Sequence, residues 1–309
     1  MSFSFLFPGQ GSQYSGMFKD HFEEFPEFNE VIGAGEEFYK EDLRNIIFSD
    51  DSRLSDTYYT QPILMLMSYA LFKVWSKNNC PIPKVAAGHS LGEVSAFLCA
   101  GSLNLEEALQ LIKYRATFMI EGKGETKTKM SAVLGLDGEA IKKILRDKKA
   151  KFLEAVNMNS PSQTVIAGNA DEIESVKNDL NENGAKRIID LAVSVPSHSS
   201  LMEIATTKLK LVLDDLKINK PTFPIIQNIQ AKIPLSIAEI CENLAQQISK
   251  PVQWVASMNR LKKYGLEMHI ELGPNKVLSG LAKQNRVQGE FASLDNIDTF
   301  KELLKKYGK

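Results

Sequence analysis

The pentapeptide Gly-His-Ser-Leu-Gly at residues 88–92 is the stretch of this sequence best suited to covalent chemistry. A short apolar run at residues 85–87 precedes it and predicts a buried strand, and apolar residues at helical spacing follow it. A turn of this kind between a strand and a helix exposes the serine hydroxyl at the helix N-terminus, where unpaired N–H groups stabilise negative charge. Ser90 is therefore a candidate nucleophile, although a tight turn with an inert serine also fits the pattern.

A serine nucleophile needs a base, because an alcohol is a poor nucleophile at neutral pH. The sequence contains 4 histidines. His21 lies in a polar segment and is most simply a surface residue, His89 is committed to the serine turn, and His269 lies in an apolar strand. His198, which follows a Pro-Ser corner, is the best candidate for the base, and a helix cap is its alternative role.

One cationic residue occupies an apolar position. Arg115 falls on the apolar arc of a helix predicted after Gly101, between Leu111 and Met119. Burying a guanidinium without a partner is prohibitive in free energy. Either a structural carboxylate or a ligand must therefore meet Arg115, and the pattern favours neither.

Backbone N–H groups are the remaining requirement, because a tetrahedral intermediate of acyl transfer carries a negatively charged oxygen. Leu91, directly after the serine, supplies one such group. The Gly-Gln-Gly loop at residues 9–11 follows a strand predicted at residues 3–7, and its glycines let the backbone approach a ligand closely. The loop could supply the second donor, although an ordinary glycine-rich turn fits equally well. Together these groups describe acyl transfer.

The elements that position these residues alternate between strand and helix. On both sides of a middle segment, the alternation predicts an α/β fold with a mainly parallel sheet. The middle segment predicts, in a β-α-β-β-α-β order, strands at 129–136, 152–158, 163–168 and 186–194 and helices at 138–147 and 170–183. This order is typical of a ferredoxin-like unit. We therefore divide the chain into a large subdomain, residues 1–125 and 196–309, and an inserted ferredoxin-like subdomain, residues 126–195.

The composition is that of an ordinary globular protein and argues against several classes of function. With 43% hydrophobic and 24% charged residues, the 309-residue chain can bury a sizeable core. Lys and Arg number 37 against 38 Asp and Glu, which gives no global electrostatic case for nucleic acid or an anionic membrane. The 3 cysteines without CxxC spacing predict reduced thiols, a cytoplasmic setting and no metal site. We expect no signal peptide and no membrane span.

Several short motifs run in a fixed order along nearly the whole chain. They are Phe-Pro-Gly-Gln-Gly-Ser-Gln from residue 7, Gly-His-Ser-Leu-Gly-Glu from 88, Tyr-Arg from 114, Asn-Met-Asn-Ser-Pro from 157, Val-Pro-Ser-His from 195, Pro-Val-Gln-Trp from 251, and Glu-Leu-Gly-Pro-Asn-Lys-Val-Leu-Ser-Gly-Leu from 271. This set resembles the motifs of the malonyl-CoA:acyl carrier protein transacylases, the malonyl-loading enzymes of bacterial fatty acid synthesis.

The resemblance implies an α/β-hydrolase-like large subdomain beside the ferredoxin-like insert. It also implies a catalytic dyad of Ser90 and His198. The backbone N–H groups of Gln10 and Leu91 would form the oxyanion hole, and Arg115 would hold the malonyl carboxylate.

The same resemblance leads to expectations about the roles or positions of five further residues. A backbone carbonyl at Gln253 would orient the histidine, and the Asn159 amide would line the site. Lys283 and Arg286 become candidates for docking the acidic carrier protein, although a solvated face explains them equally well. Asn275 stands where a glycine is frequent in the family, and we expect it to lie far from the chemistry.

The reaction implied by the resemblance is a ping-pong transfer. The serine takes malonyl from coenzyme A, and the phosphopantetheine thiol of acyl carrier protein removes it. The expected partners are malonyl-CoA and acyl carrier protein, and we expect a cytoplasmic monomer without a cofactor that binds neither nucleic acid nor membrane.

Two other functions use the same features. A serine hydrolase or thioesterase would place an acid between the serine and the histidine in chain order, and Asp179 or Asp190 could fill that role. A non-catalytic module that binds carrier protein would not need the serine at all. Arg115 in an apolar stripe argues against a hydrolase of neutral esters, which has no use for a buried cation.

Overall fold

Two sheets, one parallel and one antiparallel, organise the chain. The computed structural model describes residues 2–193 and 195–309. The strands are β1 (Phe3–Phe7), β2 (Val85–Gly88), β3 (Thr128–Leu134), β4 (Leu153–Ser160), β5 (Gln163–Asn169), β6 (Arg187–Asp190), β7 (Ile225–Ile226), β8 (Met268–Glu271) and β9 (Glu290–Ser293). The helices are α1 (Lys19–Glu24), α2 (Pro26–Tyr39), α3 (Leu43–Phe48), α4 (Thr57–Lys77), α5 (Leu91–Cys99), α6 (Leu105–Gly122), α7 (Gly138–Asp147), α8 (Ala170–Glu182), α9 (Glu203–Asp215), α10 (Ile237–Gln246), α11 (Trp254–Lys262), α12 (Val277–Gln284) and α13 (Ile297–Tyr307).

The larger sheet has the strand order β7-β2-β1-β8-β9, and the observed pairings within it are parallel. Every residue of the central strand β1 is buried, because helices cover both faces of a parallel sheet. Phe5 packs edge-on against Trp75 of α4, with 5.6 Å between ring centroids. The carboxyl ends of β1 and β2 lie side by side, so the loops after them meet at one edge of the sheet.

The smaller sheet has the order β4-β5-β3-β6, and its pairings are antiparallel. Helices α7 and α8 pack on one face of it through Ile141, Ile173 and Val176. The predicted α/β fold class, with a mainly parallel sheet and a ferredoxin-like insert, is confirmed. The strand predicted at 186–194 is observed only at Arg187–Asp190, and its last predicted residue, Ser194, lies outside the described residues. The limits of the two subdomains stay a prediction.

A short ladder of backbone hydrogen bonds joins the smaller sheet to the large subdomain. The N–H of Val252 donates to the Val156 carbonyl over 2.8 Å, and the N–H of Met158 donates to the Val252 carbonyl over 3.0 Å. Val252 lies two residues before the start of α11, so this helix and β4 are held together through the backbone. Among the helices of the described residues, none has both the length and the apolar character needed to cross a membrane.

The expectation that His21 lies at the surface is wrong. Its side chain is buried, donates from Nε2 to the Leu294 carbonyl over 2.8 Å, and stacks on Phe300. The polar residues around it in the sequence are on the other face of α1. The average polarity of the segment therefore does not show that this one position is buried.

Candidate active site

Ser90 lies on the turn between β2 and α5 in a strained conformation. Its backbone has φ 53° and ψ −115°, and residues other than glycine rarely adopt a positive φ. Such conformations cost about 1–3 kcal/mol and persist only where the surroundings enforce them. The flanking glycines are part of that enforcement, since a Cβ on Gly92 would lie 1.9 Å from the Phe7 carbonyl oxygen and one on Gly88 would lie 2.0 Å from the Gly92 backbone.

The structure brings Ser90 and His198 together although 108 positions separate them in the chain. The Ser90 Oγ lies 2.8 Å from the His198 Nε2. The other ring nitrogen, Nδ1, lies 2.6 Å from the backbone carbonyl oxygen of Gln247. A carbonyl only accepts hydrogen bonds, so Nδ1 carries the proton and Nε2 is free to accept the serine proton. Burial, together with the nearby Arg115 charge, lowers the pKa of His198 to about 3 and keeps the ring neutral.

The hydrogen bond from His198 to Gln247 contradicts the expectation for Gln253. Gln247 directly follows α10, and the last carbonyls of a helix have no partner within it, which leaves the Gln247 oxygen free for the imidazole. Gln253 precedes α11, and its carbonyl accepts from the N–H and the hydroxyl of Ser257 inside that helix.

Arg115, on α6, is the third functional side chain at the site, beside Ser90 and His198. Its side chain is 2% exposed, and its Nη2 donates to the Ser90 Oγ over 3.2 Å and to the Gln247 Oε1 over 3.0 Å. Its Nη1 donates to the Gln61 Oε1 over 2.6 Å. Within the described part of the chain, Arg115 forms no ion pair, and its buried Nε has no hydrogen-bond partner. Neutral amide oxygens therefore hold the guanidinium, and its charge is left for a ligand.

Burial affects the charge state of this arginine as well. Desolvation lowers the pKa of Arg115 to about 10, with the carboxyl group of Glu93 acting in the opposite direction. Arg115 therefore stays charged at neutral pH, and an anion that enters the cavity gains a strong electrostatic contact because little water screens it.

The two residues with predicted N–H donors line the same cavity as these side chains. This catalytic cavity has a volume of about 80 Å³, and Gln10, Leu91, Arg115 and His198 line it. Neither the Gln10 nor the Leu91 backbone N–H donates to another described residue. The loop carrying Gln10 is pressed onto the serine turn, since a Cβ on Gly9 would lie 2.5 Å from the His89 carbonyl oxygen.

Apolar side chains of the insert close the cavity. Met130, Leu191 and Val193 line it opposite Met119 of α6. A wider cleft of about 740 Å³ adjoins it and shares Gln10 and His89 in its lining. A small acyl group therefore fits beside Ser90, and a longer carrier fits in the cleft.

Asn159 lines the wider cleft rather than the catalytic cavity. Its Oδ1 accepts from His89 Nε2 over 2.8 Å, and its backbone carbonyl accepts from Asn285 Nδ2 over 2.7 Å. The histidine next to the nucleophile is thereby held away from Ser90. Burial also lowers the pKa of His89, so this ring is neutral.

The remaining sequence candidates lie elsewhere. Asp179 pairs with Lys148, and Asp190 bonds Lys129 and Ser131, so neither acid is the partner of the histidine. Lys283 rests its ammonium group over the Phe291 ring, 5.3 Å from the centroid. The docking role of Lys283 and Arg286 stays a prediction.

Asn275 contacts the loop that carries Gln10. It adopts φ 65°, which explains why glycine suits this position, and its Nδ2 donates to the Ser12 carbonyl over 2.8 Å. Ser12 belongs to the loop that carries Gln10. Asn275 itself lines neither the catalytic cavity nor the wider cleft, and the expectation that it lies far from the chemistry stays a prediction.

Three polar side chains around Ser90 were not predicted. Gln61 and Gln247 hold Arg115, and Asn228 contacts the nucleophile turn. Gln61 had a signal in the sequence, since it is an amide within an apolar helical segment. No three His, Cys, Asp or Glu side chains of the described residues are arranged to hold a metal ion.

Comparisons with known proteins agree on one family. Residues 4–295 match the family described as acyl transferase domain. The malonyl CoA-acyl carrier protein transacylase of Bacillus subtilis is 40% identical over 285 residues, covering 91% of this chain and 89% of that protein. The protein of the same name from Escherichia coli K12 is 38% identical over 284 residues, covering 91% of this chain and 92% of its own.

Solved structures of similar proteins have the same architecture. The malonyl CoA-acyl carrier protein transacylase of Coxiella burnetii superimposes with a TM-score of 0.95 at 32% identity, over 100% of this chain and 98% of that one. A malonyl-transacylase in complex with its holo type II PKS acyl-carrier protein has a TM-score of 0.95 at 34% identity, over 99% of this chain and 100% of that one.

Proposed function

Because this chain belongs to the acyl transferase domain family, and within it to the malonyl CoA-acyl carrier protein transacylases, we propose that it transfers malonyl by way of Ser90. The enzyme is a transferase that moves malonyl from malonyl-CoA to acyl carrier protein for fatty acid synthesis. The observation that carries the assignment of the site is the buried Arg115 guanidinium, 3.2 Å from the Ser90 Oγ and without a carboxylate partner among the described residues.

The first half of the reaction loads the enzyme. The Ser90 oxygen attacks the thioester carbon of malonyl-CoA while its proton passes to His198 Nε2, 2.8 Å away. The N–H groups of Gln10 and Leu91 donate to the resulting oxyanion. The carbon–sulfur bond then breaks, and coenzyme A leaves as the thiol with the proton from His198.

The second half returns the enzyme to its starting state. His198 Nε2 takes the proton of the phosphopantetheine thiol, and the sulfur attacks the malonyl ester carbon of Ser90. The carbon–oxygen bond to Ser90 breaks, the proton returns to the serine oxygen, and malonyl leaves on the carrier. No net charge is created in either half, which suits a cavity with little water.

The substrate carboxylate tunes the base in this mechanism. Arg115 contributes to the low pKa of His198 because two positive charges close together are unfavourable. A malonyl carboxylate bound to Arg115 cancels that charge and makes the imidazole more basic when it must accept the serine proton. An acetyl group has no such effect, so the site favours carboxylated acyl groups.

We also propose the setting in which the enzyme works. Residues 1–125 and 196–309 form the large subdomain and residues 126–195 the insert. Lys283 and Arg286 contribute to docking the acidic carrier protein, and the enzyme is a cytoplasmic monomer. It uses no cofactor and binds neither nucleic acid nor membrane.

The proposal is tested by comparing two serine variants of the purified protein. Ser90→Ala should lower malonyl transfer to holo acyl carrier protein by at least about a thousandfold. Ser95→Ala is the matched control, because Ser95 lies on α5, the helix that follows Ser90, is fully buried, and has a hydroxyl without a partner among the described residues. Hydrolysis of neutral esters with no action on malonyl-CoA would replace this proposal with the hydrolase alternative.

A further inference from the structure

The Asn228 side chain forms two hydrogen bonds to the backbone of the nucleophile turn. Its Oδ1 accepts the backbone N–H of Ser90 over 2.7 Å, and its Nδ2 donates to the Gly88 carbonyl over 2.6 Å. Both partners are backbone groups, on either side of His89. Asn228 is fully buried just after the short strand β7, so its two hydrogen bonds are shielded from water.

These contacts hold the part of the chain that is under strain. Ser90 precedes α5, so its N–H has no carbonyl to bond within the helix. Asn228 supplies the missing acceptor for the Ser90 N–H while Ser90 holds its strained φ of 53°. Gln247 Nε2 donates to the Ser90 carbonyl over 3.0 Å. Without the amide of Asn228, an unpaired buried N–H would favour a relaxed backbone in which the serine oxygen points elsewhere.

Asn228 is itself held by a buried carboxylate. Glu93 is fully buried one turn into α5, and its Oε2 accepts the Asn228 backbone N–H over 2.6 Å. Its Oε1 accepts from the side chain of Gln227 over 3.0 Å. The described residues give Glu93 no ion pair with a basic side chain, so amide donors alone hold this carboxylate. Glu93 therefore ties the segment after β7 to the helix that carries the nucleophile.

We propose that Asn228, held by Glu93, is a positioning residue that fixes the Ser90 backbone so that the serine oxygen faces His198. The inference rests on the proposed function in so far as Ser90 is the nucleophile. Asn228 touches neither the substrate nor the reacting atoms. Its side chain contacts the backbone of Ser90 and Gly88, and its Oδ1 also accepts from Gln247 Nε2 over 3.4 Å.

The experiment measures the reactivity of Ser90 with and without the natural substrate. A fluorophosphonate probe labels an activated serine without any malonyl group: the serine oxygen bonds to phosphorus, the fluoride leaves, and His198 takes the proton. Asn228→Ala should slow labelling and lower kcat together by about 10- to 100-fold, since misplacement of about 1 Å costs on this order. The KM for malonyl-CoA should stay within about twofold, because Asn228 bonds neither Arg115 nor any residue side chain that lines only the wider cleft.

Asn243→Ala is the matched control for loss of a buried amide. Asn243 is 4% exposed and donates to the Gln227 Oε1 over 2.8 Å in the same polar layer, but it does not contact the serine turn. Its loss should lower the melting temperature and leave labelling and kcat within about twofold. Equal slowing in Asn228→Ala and Asn243→Ala would assign both residues to stability alone and overturn the proposal.

A second variant covers the case in which Asn228→Ala does not fold. Glu93→Gln keeps the size of the side chain but offers one oxygen to two donors, so labelling and kcat should fall about tenfold. Wild-type labelling in a folded Asn228→Ala protein, or in Glu93→Gln where Asn228→Ala does not fold, would overturn the proposal. If the wild type is labelled at Ser90 but does not transfer malonyl, the proposed function fails, and slower labelling of Asn228→Ala still supports the positioning role.

Discussion

At the scale of single residues, the site combines a neutral imidazole and a guanidinium cation, and no described carboxylate is hydrogen-bonded to either of them. His198 is oriented by the backbone carbonyl of Gln247, and Arg115 is held by neutral amides. A carbonyl holds the ring in place without adding a negative charge to the cavity. The positive charge of Arg115 is therefore available to the substrate, which distinguishes this arrangement from a triad with a carboxylate.

Removing that charge should separate carboxylated from neutral acyl groups. Arg115→Ala loses a charge-assisted contact worth roughly 1.5–3 kcal/mol, so malonyl transfer should fall about 10- to 100-fold. Transfer of acetyl from acetyl-CoA should fall less, because acetyl has no carboxylate to bind. Parallel assays of kcat/KM for the two thioesters provide the test and its internal control. Equal losses for both would give Arg115 a structural role.

The low pKa of His198 predicts an unusual pH profile. The folded pKa of about 3 lies below the ordinary value of 6.5, so the ring of the free enzyme is already the neutral base from pH 8 down to pH 5. We expect kcat/KM for malonyl-CoA to stay level over that range, measured in buffers of constant ionic strength. A decline with a midpoint near pH 6.5 would show that the free imidazole protonates normally and would contradict this account.

At the scale of elements, the site depends on two strand ends and the loops that follow them. β1 leads into the loop with Gln10, and β2 leads into Ser90. The two strands pair in parallel, so both loops emerge at the same edge of the sheet. Gly92 lets α5 begin directly against β1, with no room for a side chain between them.

This close contact gives a prediction for Gly92→Ala. The new Cβ would lie 1.9 Å from the Phe7 backbone oxygen, which cannot rotate away, so the free energy of unfolding should fall by about 1–3 kcal/mol. Movement of α5 would also displace Ser90 and slow malonyl transfer about 100-fold. Urea unfolding and transfer assays measure the two effects.

Gly33→Ala serves as the control for that substitution. Gly33 lies inside α2, and a Cβ there would meet no described atom within 4 Å. Alanine favours a helix over glycine by about 1 kcal/mol, so Gly33→Ala should stabilise the protein. If both variants were equally stable and active, the contact between α5 and β1 would not matter.

Most elements could be predicted from the sequence, because each has a local pattern. Helix α7 has the predicted bounds, and the order of strands and helices in the insert follows from apolar periodicity alone. Ser90, His198 and Arg115 each had a local signal, and the structure brings the three together.

The groups that support them could not be predicted in the same way. The role of Gln247 depends on a backbone carbonyl, which every residue possesses, so its side chain gives no signal. Asn228 follows the 2-residue strand β7, and its role appears only when β7 is placed beside β2. Tertiary contacts decide such positions.

At the scale of the whole molecule, the catalytic cavity lies between the two sheets. Apart from Asn157, the large subdomain supplies the polar residues of the lining, and Met130 and Leu191 of the insert cover them. The backbone ladder between β4 and Val252 fixes this cover in place. Access of water to the cavity therefore depends on the stability of the contacts between the insert and the large subdomain.

Buried histidines should make the stability of the fold depend on pH. Burial lowers the pKa of all 4 histidines, His21, His89, His198 and His269, so each takes up a proton on unfolding below its ordinary pKa of 6.5. Burial raises the pKa of Glu93 to about 7 and also raises that of Glu271, so these two carboxyls release protons on unfolding and oppose the histidines. The unfolded state still binds more protons between pH 5.5 and 6.5, and stability falls as the pH is lowered.

The size of this effect can be measured by urea unfolding at pH 7.5 and pH 5.5. A net uptake of up to about two protons corresponds to at most roughly 2.7 kcal/mol per pH unit. The range stays above the titration of exposed carboxyls such as Glu174, whose pKa is lowered by Lys129. An equal or higher urea midpoint at pH 5.5 would contradict the burial of neutral histidines.

The central claim is that Ser90 carries the malonyl group between two thiols. Its most direct test is the intact mass of the protein after mixing with malonyl-CoA, followed by peptide mapping and addition of holo acyl carrier protein. We predict a single malonyl adduct on Ser90 that is absent in Ser90→Ala and disappears when the carrier thiol is added, with malonyl recovered on the carrier. A protein that transfers malonyl without any adduct on Ser90, or an adduct that only water removes, would contradict the account.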